Sequence, residues 1–366
     1  MVVKREDASP LPRVDAEALA GYGWGLWQQE ALDALGGGGD EVGRVSAEHQ
    51  GVFLVRFADG ERAAALPGKM RRAVVRGEAI WPAVGDWVVV DRPPGGSVVL
   101  RAVLPRQTRL ARKAVGEQRG EQVLAANVDV AFLVSALGAD LSPRRLERYV
   151  ALALEGGALP VVLLTKADLY EDVASAVEVV RSVAAEVAIH VLSSHTGLGL
   201  AALSPYFAGE RTVVLLGSSG VGKSTLLNRL LGADVQAVGE VRADGKGRHT
   251  TTHRQLFRRP DGGVVIDTPG MRELGLWDAE AGVSSAFPDI EAIAEDCRFS
   301  DCRHEGEPGC AVVAAVAVGT LERGRLDSFL GLQVEARRAA AKAGPRSSNE
   351  RVLGRAVAAR LGRRRR

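Results

Sequence analysis

The sequence predicts an α/β domain with a parallel sheet, preceded by a small all-β barrel or sandwich and followed by a helical domain with a cysteine cluster. Three observations lead to this prediction. Short β-type runs separated by turn residues recur in the first third of the chain. Apolar strands then alternate with helical segments around one glycine-rich loop. Three cysteines are crowded into one short segment after these elements.

The composition is typical of a globular protein, with 46% hydrophobic and 25% charged residues among 366. The formal net charge is only +2, so a basic surface requires an uneven distribution of charge. Apolar runs are all far shorter than a membrane span, and the N-terminal residues lack the apolar core of a signal peptide. We therefore expect a cytoplasmic protein that does not bind a membrane. We also expect it to be a monomer.

Residues 1–41 are interpreted as an N-terminal extension. Residues 16–35 could form one helix, on which Trp24 and Trp27 would share a face. The glycine run 36–39 would end it, and we expect part of the extension to be mobile.

Residues 42–113 have the pattern of a small all-β barrel or sandwich, because β-type runs alternate with turn signals such as Asp59-Gly60 and Gly85-Asp86. This stretch has 13 Lys or Arg against 6 Asp or Glu, a balance that favours RNA binding through phosphates. The most basic point, residues 68–72, is predicted to be a loop between strands. A solvated charged loop without a ligand is the alternative reading.

Residues 114–277 are predicted to form the α/β domain. A helix opens at Ser142-Pro143 and ends before Gly156-Gly157. Parallel strands bring their carboxyl ends to one edge of the sheet, and each polar motif of this domain follows a strand. The five predicted strands are 128–135, 160–164, 187–192, 212–216 and 263–266.

The glycine-rich loop matches the phosphate-loop pattern G-x-x-x-x-G-K-[ST], with a strand before it and a helix after it. Its backbone N–H groups and the helix N-terminus would face phosphate oxygens. Lys223 would reach the β- and γ-phosphates, and Ser224 would hold Mg²⁺. A glycine-rich turn with a chance lysine is the alternative. The residues assigned to this site are Gly217, Ser218, Ser219, Gly220, Val221, Gly222, Lys223, Ser224 and Thr225.

The run Thr165-Lys166-Ala167-Asp168 matches the [NT]-K-x-D pattern that reads guanine. Asp168 can accept hydrogen bonds from the ring imino and exocyclic amino groups of guanine, which adenine lacks. Lys166 would lie along the base and brace the phosphate loop. Ser193, Ser194 and their neighbours would present backbone N–H groups to the guanine oxygen. On its own, this motif could also be a helix start.

Residues 245–252 are polar, glycine-rich and basic, which suits a mobile switch loop. We expect Thr251, with Thr250 as the alternative, to reach Mg²⁺ when a γ-phosphate is present. Asp267 would hold the ion through water, and the Gly270 N–H would contact the γ-phosphate.

Position 271, where many GTPases have a glutamine that orients water, is Met271, whose thioether cannot do so. Hydrolysis should therefore be slow without a substitute group or a partner. His249 is the candidate for that role, and a surface histidine without a role is the alternative reading.

The base-reading motifs precede the phosphate loop, whereas ordinary GTPases have the opposite order. A circular permutation explains this order, because the sheet and the site can be kept when the chain enters elsewhere.

The cysteine cluster has the spacing C-x4-C-x-H-x5-C within a predicted domain at residues 278–343. Three thiolates and one imidazole would form a closed, tetrahedral and therefore structural zinc site. Unrelated buried cysteines are the alternative. A basic tail at residues 344–366 is expected to be disordered and to contact nucleic acid. The proposed ligands are Cys297, Cys302, His304 and Cys310.

These motifs, in this order, resemble those of the bacterial ribosome small subunit-dependent GTPase A family. The resemblance covers residues 42–343. It implies an N-terminal OB-fold, a circularly permuted GTPase domain and a zinc-binding C-terminal domain. It also implies late maturation of the small ribosomal subunit, with that subunit and its rRNA as partners and as stimulators of hydrolysis of GTP to GDP. Thr165 replaces the usual asparagine, and residues 1–41 extend beyond the resemblance.

Two other functions are compatible with the sequence. The protein could be a GTP-gated RNA-binding scaffold whose hydrolysis is incidental, which Met271 permits. It could also be an ATP-using phosphate-loop enzyme such as a small-molecule kinase, although Asp168 argues against adenine.

Overall fold

The computed structural model describes residues 13–35, 41–49, 51–113, 121–138, 140–235, 254–268, 283–284 and 286–340. Their strands lie in one long sheet and one two-stranded sheet, and the long sheet contains both the barrel and the α/β core.

The first part is a closed five-stranded barrel, as the sequence predicts. The strand order is β1-β2-β3-β5-β4, and β4 pairs back onto β1. Closure leaves no strand edge open. The core is made of alternating inward residues, including Phe53, Val55 and Leu100. The strands are β1 Glu41–His49, β2 Val52–Phe57, β3 Gly60–Ala65, β4 Trp87–Asp91 and β5 Val98–Val103.

The basic segment between β3 and β4 is a helix, α3 (Gly68–Val75), and not the loop that the sequence predicts. Met70 is buried in the barrel core, whereas Lys69, Arg71 and Arg72 are exposed. Pro67 stands at the N-cap and the interior of the helix has neither glycine nor proline. Burial of Met70 therefore selects a helix where the flanking turn residues had suggested a loop.

The N-terminal residues form two helices, and the prediction of one helix is wrong. They are α1 (Ala16–Ala20) and α2 (Leu26–Leu35), separated at Gly23, which has a φ of 85°. Trp24 lies in this break, so it does not share a helical face with Trp27. It packs edge-to-face on Trp87 of the barrel, with ring centroids 4.9 Å apart. Residues 13–35 thus pack against the barrel.

The α/β part has the sheet order β10-β9-β8-β11-β13-β12, with all neighbours parallel except β12 and β13. Apolar clusters cover both faces of this sheet. A hairpin of β6 (Arg109–Lys113) and β7 (Glu121–Ala126) precedes it. The strands are β8 Val130–Ala136, β9 Leu159–Thr165, β10 Ala188–Val191, β11 Thr212–Leu216, β12 Gln255–Arg258 and β13 Val264–Asp267.

Helices and short helical turns connect these strands and bring the functional loops to their carboxyl ends. The helices are α4 (Pro143–Glu155), α5 (Val173–Val183) and α6 (Lys223–Leu231). Two 3₁₀ turns, Ala167–Leu169 and Leu200–Phe207, complete the connections.

Strand β12 also pairs with barrel strand β1, with Ala47 opposite Gln255, so the barrel and the α/β sheet are continuous. The C-terminal part contains α7 (Pro288–Ala294), α8 (Ala311–Ala317) and α9 (Arg323–Ala340). Phe287 and Phe329 pack together in its core at 5.4 Å between ring centroids. A search of the described residues finds no helix with the length and apolarity needed to cross a membrane.

Candidate nucleotide site and metal centre

The phosphate loop lies between the buried strand β11 and helix α6. Gly220 and Gly222 have φ values of 86° and 97°, in the region where glycine has no steric cost. A Cβ atom on Gly217 would lie 2.4 Å from the Val134 carbonyl oxygen, so a side chain does not fit there. Strand packing and loop curvature therefore account for the glycines. Ser224 and Thr225 lie in the first turn of α6, where free backbone N–H groups attract anions.

Lys223 is 8% exposed and folds over the loop. Its Nζ donates to the carbonyl oxygens of Gly217 and Ser218, at 2.9 and 2.7 Å. Burial lowers the pKa of Lys223 to about 8, while the negative charges of Asp267 and Asp140 act in the opposite direction. A phosphate at this site would raise the pKa of Lys223 and strengthen its preference for the charged form.

Asp140 and Arg145 support the loop from outside, and neither was predicted from the sequence. The Ser218 hydroxyl donates to Asp140 Oδ1 at 2.9 Å, and Arg145 pairs with Oδ2 of the same carboxylate at 3.0 Å. Asp140 follows the carboxyl end of β8, the strand beside β11. Because Asp140 follows the carboxyl end of a strand, the sequence could have indicated that it lies near the site.

Thr165 ends β9 and joins the base-reading motif to the phosphate loop. Its hydroxyl donates a hydrogen bond to the Val221 carbonyl oxygen at 2.6 Å, and the Ser135 carbonyl oxygen lies 3.3 Å from the same hydroxyl. Lys166 follows in the left-handed region, with a φ of 62°. Asp168 is exposed, and a hydrogen bond from the Ser193 side chain lowers the pKa of its carboxyl group. The carboxylate is thus ionised and available to accept hydrogen bonds.

The second base-reading segment follows β10. The Ser193 hydroxyl accepts from the Thr196 N–H at 3.1 Å and closes a turn, and Ser193 and Ser194 are both buried. Arg229 of α6 donates to the carbonyl oxygens of Ser194 and His195, each at 2.8 Å. Arg229 was not predicted from the sequence, because no spacing rule connects it with this turn.

Asp267 ends β13 and is 1% exposed, beside β11, where it is in register with Leu215. The hydroxyl of the next residue, Thr268, donates to the Leu215 carbonyl oxygen at 2.7 Å and fixes the end of the strand. The predicted switch residues lie outside the described part of the chain. They are His249, Thr250, Thr251, Gly270 and Met271.

The structure brings Cys297, Cys302, His304 and Cys310 together, with one ligand atom of each within 4.8 Å of all the others. The Nδ1 atom of His304 is 3.6 Å from the Cys297 sulfur and 3.4 Å from the Cys310 sulfur, and those two sulfurs are 4.0 Å apart. A tetrahedral zinc ion separates such ligand atoms by roughly 3.6–3.8 Å. The four side chains therefore fit a zinc ion.

Local structure explains this convergence. Cys310 stands at the N-cap of α8, where its sulfur accepts from the Val313 N–H at 3.4 Å. His304 has a φ of 61°, which turns the chain back toward Cys297. The Arg298 N–H donates to the Gly309 carbonyl oxygen at 3.1 Å and closes the loop between the ligands.

Residues 103–277 match the family model described as RsgA GTPase. The chain is 45% identical to the small ribosomal subunit biogenesis GTPase RsgA 2 of Lactiplantibacillus plantarum, over 85% of this chain and 88% of that protein. It is also 45% identical to the small ribosomal subunit biogenesis GTPase RsgA of Opitutus terrae, over 89% of this chain and 92% of the relative.

Solved structures give the same result. YjeQ from Thermotoga maritima matches with a TM-score of 0.58 and 28% identity, over 81% of this chain and 98% of that one. YloQ, described as a circularly permuted GTPase, matches with a TM-score of 0.55 and 27% identity, over 84% of this chain and 96% of that one. The description of YloQ agrees with the permuted order of motifs along β9, β10, β11 and β13. Similarity at this level across most of its length shows that the chain belongs to the RsgA GTPase family.

Proposed function

We propose that this protein binds and hydrolyses GTP, that it acts in maturation of the small ribosomal subunit, and that the subunit stimulates hydrolysis. The proposal of a nucleotide ligand rests on one observation. The Thr165 hydroxyl donates a hydrogen bond to the Val221 carbonyl oxygen at 2.6 Å, which holds the base-reading motif against the phosphate loop. One ligand with a base and a phosphate chain would fill both segments.

The choice of guanine rests on Asp168. Its exposed, ionised carboxylate can accept two hydrogen bonds from the guanine edge, and adenine would leave it without them. Lys166 and the Ser193–Ser194 turn complete the base site in this proposal. Gly217, Ser218, Ser219, Gly220, Val221, Gly222, Lys223, Ser224 and Thr225 form the phosphate site.

We also propose that the protein uses Mg²⁺ as a cofactor, because the substrate of a GTPase of this family is a triphosphate. Bound Mg²⁺ would neutralise charge on the phosphates during transfer to water. Ser224 and Asp267 would hold it, with Thr251 as the switch ligand. His249 and the Gly270 N–H would act on the water and the γ-phosphate, while Lys223 neutralises charge on the transferred group.

The partner in this proposal is the small ribosomal subunit with its rRNA. The curated relatives are named for biogenesis of that subunit. Exposed Lys69, Arg71 and Arg72 on α3 give the barrel a basic surface that suits phosphates. A structural zinc ion bound by Cys297, Cys302, His304 and Cys310 would stabilise the fold of the C-terminal part. We further propose that the protein is a cytoplasmic monomer.

The first experiment is GTP turnover by the purified protein, with and without small ribosomal subunits, with ATP and large subunits as controls. Stimulation restricted to GTP and small subunits is the expected result. A slow rate that no subunit changes would support the alternative of a GTP-gated RNA-binding scaffold, which Met271 in place of a water-orienting glutamine permits.

A second experiment tests the nucleotide choice. Asp168→Asn should lose selectivity for GTP over ATP, whereas Asp172→Asn should keep it. Asp172→Asn is the same substitution at a nearby residue. Asp172 caps α5 by accepting a hydrogen bond from the Ser175 N–H at 3.1 Å. Asparagine can also act as this cap, so the control variant should keep its fold. Unchanged GTP affinity in Asp168→Asn would contradict the assignment of the base reader. Lys223→Ala should abolish tight triphosphate binding.

A further inference from the structure

Arg229 connects two parts of the candidate site that are separate in sequence. It lies in the last turn of α6, the helix that begins at Lys223 of the phosphate loop. Its Nε donates to the Ser194 carbonyl oxygen and its terminal nitrogen donates to the His195 carbonyl oxygen, both at 2.8 Å. One planar cation therefore holds two consecutive carbonyls of the turn after β10.

The contact with the Ser194 carbonyl also fixes the direction of the His195 N–H. The Ser194 carbonyl and the His195 N–H belong to one planar peptide, and the described residues contain no cis peptide bond. In a trans peptide these two groups point in opposite directions. Because Arg229 holds the carbonyl toward α6, the His195 N–H is directed away from α6. The guanidinium therefore fixes the orientation of a backbone donor that it does not touch.

The other end of the turn is held separately. The Ser193 hydroxyl accepts from the Thr196 N–H at 3.1 Å, and the Ser193 side chain is hydrogen-bonded to Asp168. The turn is thus connected on one side to the residue assigned to the guanine imino and amino groups. On the other side it is connected to the helix that carries the phosphate loop.

We propose that Arg229 is a positioning residue for guanine recognition. It orients the backbone N–H groups of the Ser194–His195 turn toward the carbonyl oxygen of guanine and fixes the distance between that turn and the phosphate loop. The inference rests on the proposed guanine site. Hydrogen bonds from a guanidinium are stronger than neutral ones, so a rigid turn is expected even though Arg229 is exposed.

The test uses Arg229→Ala and three diphosphates that separate the contacts. GDP has both the carbonyl oxygen and the amino group. Inosine diphosphate keeps the oxygen and lacks the amino group. 2-Aminopurine riboside diphosphate keeps the amino group and lacks both the oxygen and the ring N1–H, so the change in preference between wild type and variant is the measure of the oxygen contact. We expect GDP affinity to fall roughly three- to tenfold, the value of about one net hydrogen bond. The preference for GDP over 2-aminopurine riboside diphosphate should shrink by the same factor, while the preference over inosine diphosphate stays.

Two further variants complete the design. Arg229→Lys, which keeps one donor, should lie between wild type and alanine. Arg181→Ala is the matched control, because Arg181 is also an exposed helical arginine, and its partner is Glu178 at 3.3 Å. It should bind all three diphosphates as wild type does. Thermal unfolding measurements check that each variant is folded. If Arg229→Ala does not fold, Arg229→Lys takes its place in the comparison.

Three results would overturn the inference. Equal loss of affinity for all three diphosphates would mean that Arg229 only stabilises α6 and does not act on base recognition. Unchanged affinities would remove any role in binding. A wild-type protein that binds the three diphosphates and ADP equally well would instead contradict the guanine site itself, so failure of the proposed function is distinguishable from failure of the role of Arg229.

Discussion

Arg44 of the barrel donates to the hydroxyl of Thr212, at the start of the central strand of the α/β sheet, across 2.9 Å. The same guanidinium donates to the carbonyl oxygens of Gly85, Asn127 and Tyr22. It is 1% exposed, and burial lowers its pKa to about 10. One buried cation thus joins the N-terminal helices, the barrel and the α/β part.

Replacement of Arg44 tests this connection. Arg44→Met should lower the free energy of unfolding by about 3–5 kcal/mol, because the buried acceptors lose their donor and methionine cannot supply one. Chemical denaturation measures the change. Arg101→Ala is the control, since Arg101 is exposed and pairs with Asp91 on the surface, so its effect should stay within about 0.5 kcal/mol. Equal effects of the two substitutions would contradict the role of Arg44.

Arg325 makes the equivalent connection for the C-terminal part. It donates to Glu147 of α4 at 2.8 Å and to Asp289 of α7 at 2.7 Å, and it lies 4.3 Å from the ring centroid of Phe287. Arg325→Met would leave Glu147, 2% exposed, without this partner. We expect a loss of about 3–5 kcal/mol in unfolding free energy.

Arg323→Ala is the matched control for Arg325, because Arg323 is an exposed arginine of the same helix that pairs with Asp327 at 3.0 Å. Hydrogen exchange should show faster opening of α7 and α9 in Arg325→Met and no change in Arg323→Ala. Unaltered protection of both helices in Arg325→Met would show that packing alone holds the C-terminal part.

Nucleotide binding should be coupled to protonation of Lys223. Burial lowers the pKa of the nucleotide-free side chain to about 8, and a bound phosphate would raise it. Between these two pKa values the complex holds more protons than the free protein, so binding takes up protons and affinity falls as pH rises above about 8. Calorimetry of GDP binding in buffers of different ionisation enthalpy should show proton uptake that grows toward one between about pH 7 and pH 9. Uptake that does not change over this range would contradict the assignment.

Zinc should be required for the C-terminal fold. Wild-type protein is expected to contain about one zinc ion per chain, and Cys302→Ser should contain almost none. Loss of the metal should remove hydrogen-exchange protection from α8 and α9, because zinc-binding energy contributes directly to folding and His304 lies near Phe329, at 6.1 Å between ring centroids. Ser300→Ala, in the same loop, should keep both zinc and protection. Full protection after verified metal removal would contradict a structural zinc.

Much of the site could be predicted from the sequence because its signals are local. Gly217–Ser224, Thr165–Asp168 and the cysteine spacing each occupy a few residues, and their neighbours show the periodicity of strands or helices. The same patterns predicted the parallel sheet and a small all-β barrel or sandwich, of which the structure shows a closed barrel. Residues of the switch segments lie outside the described part of the chain, so their assignments stay predictions.

The predictions that were wrong concern segments with weak local signals. The basic segment Gly68–Val75 is a helix because Met70 packs into the barrel core, a contact that no local pattern indicates. The N-terminal residues divide into two helices at Gly23, and Trp24 packs on Trp87, far along the chain.

The sequence alone determined which chemical groups this protein has and in what order, since short motifs constrain backbone and side chains within a few residues. Only the tertiary structure decided how these groups are held. The contacts of Arg44 with Thr212, Arg229 with Ser194, and Asp140 with Ser218 join residues that are far apart in sequence. Such pairs leave no periodic pattern, because their proximity results from the packing of whole strands and helices.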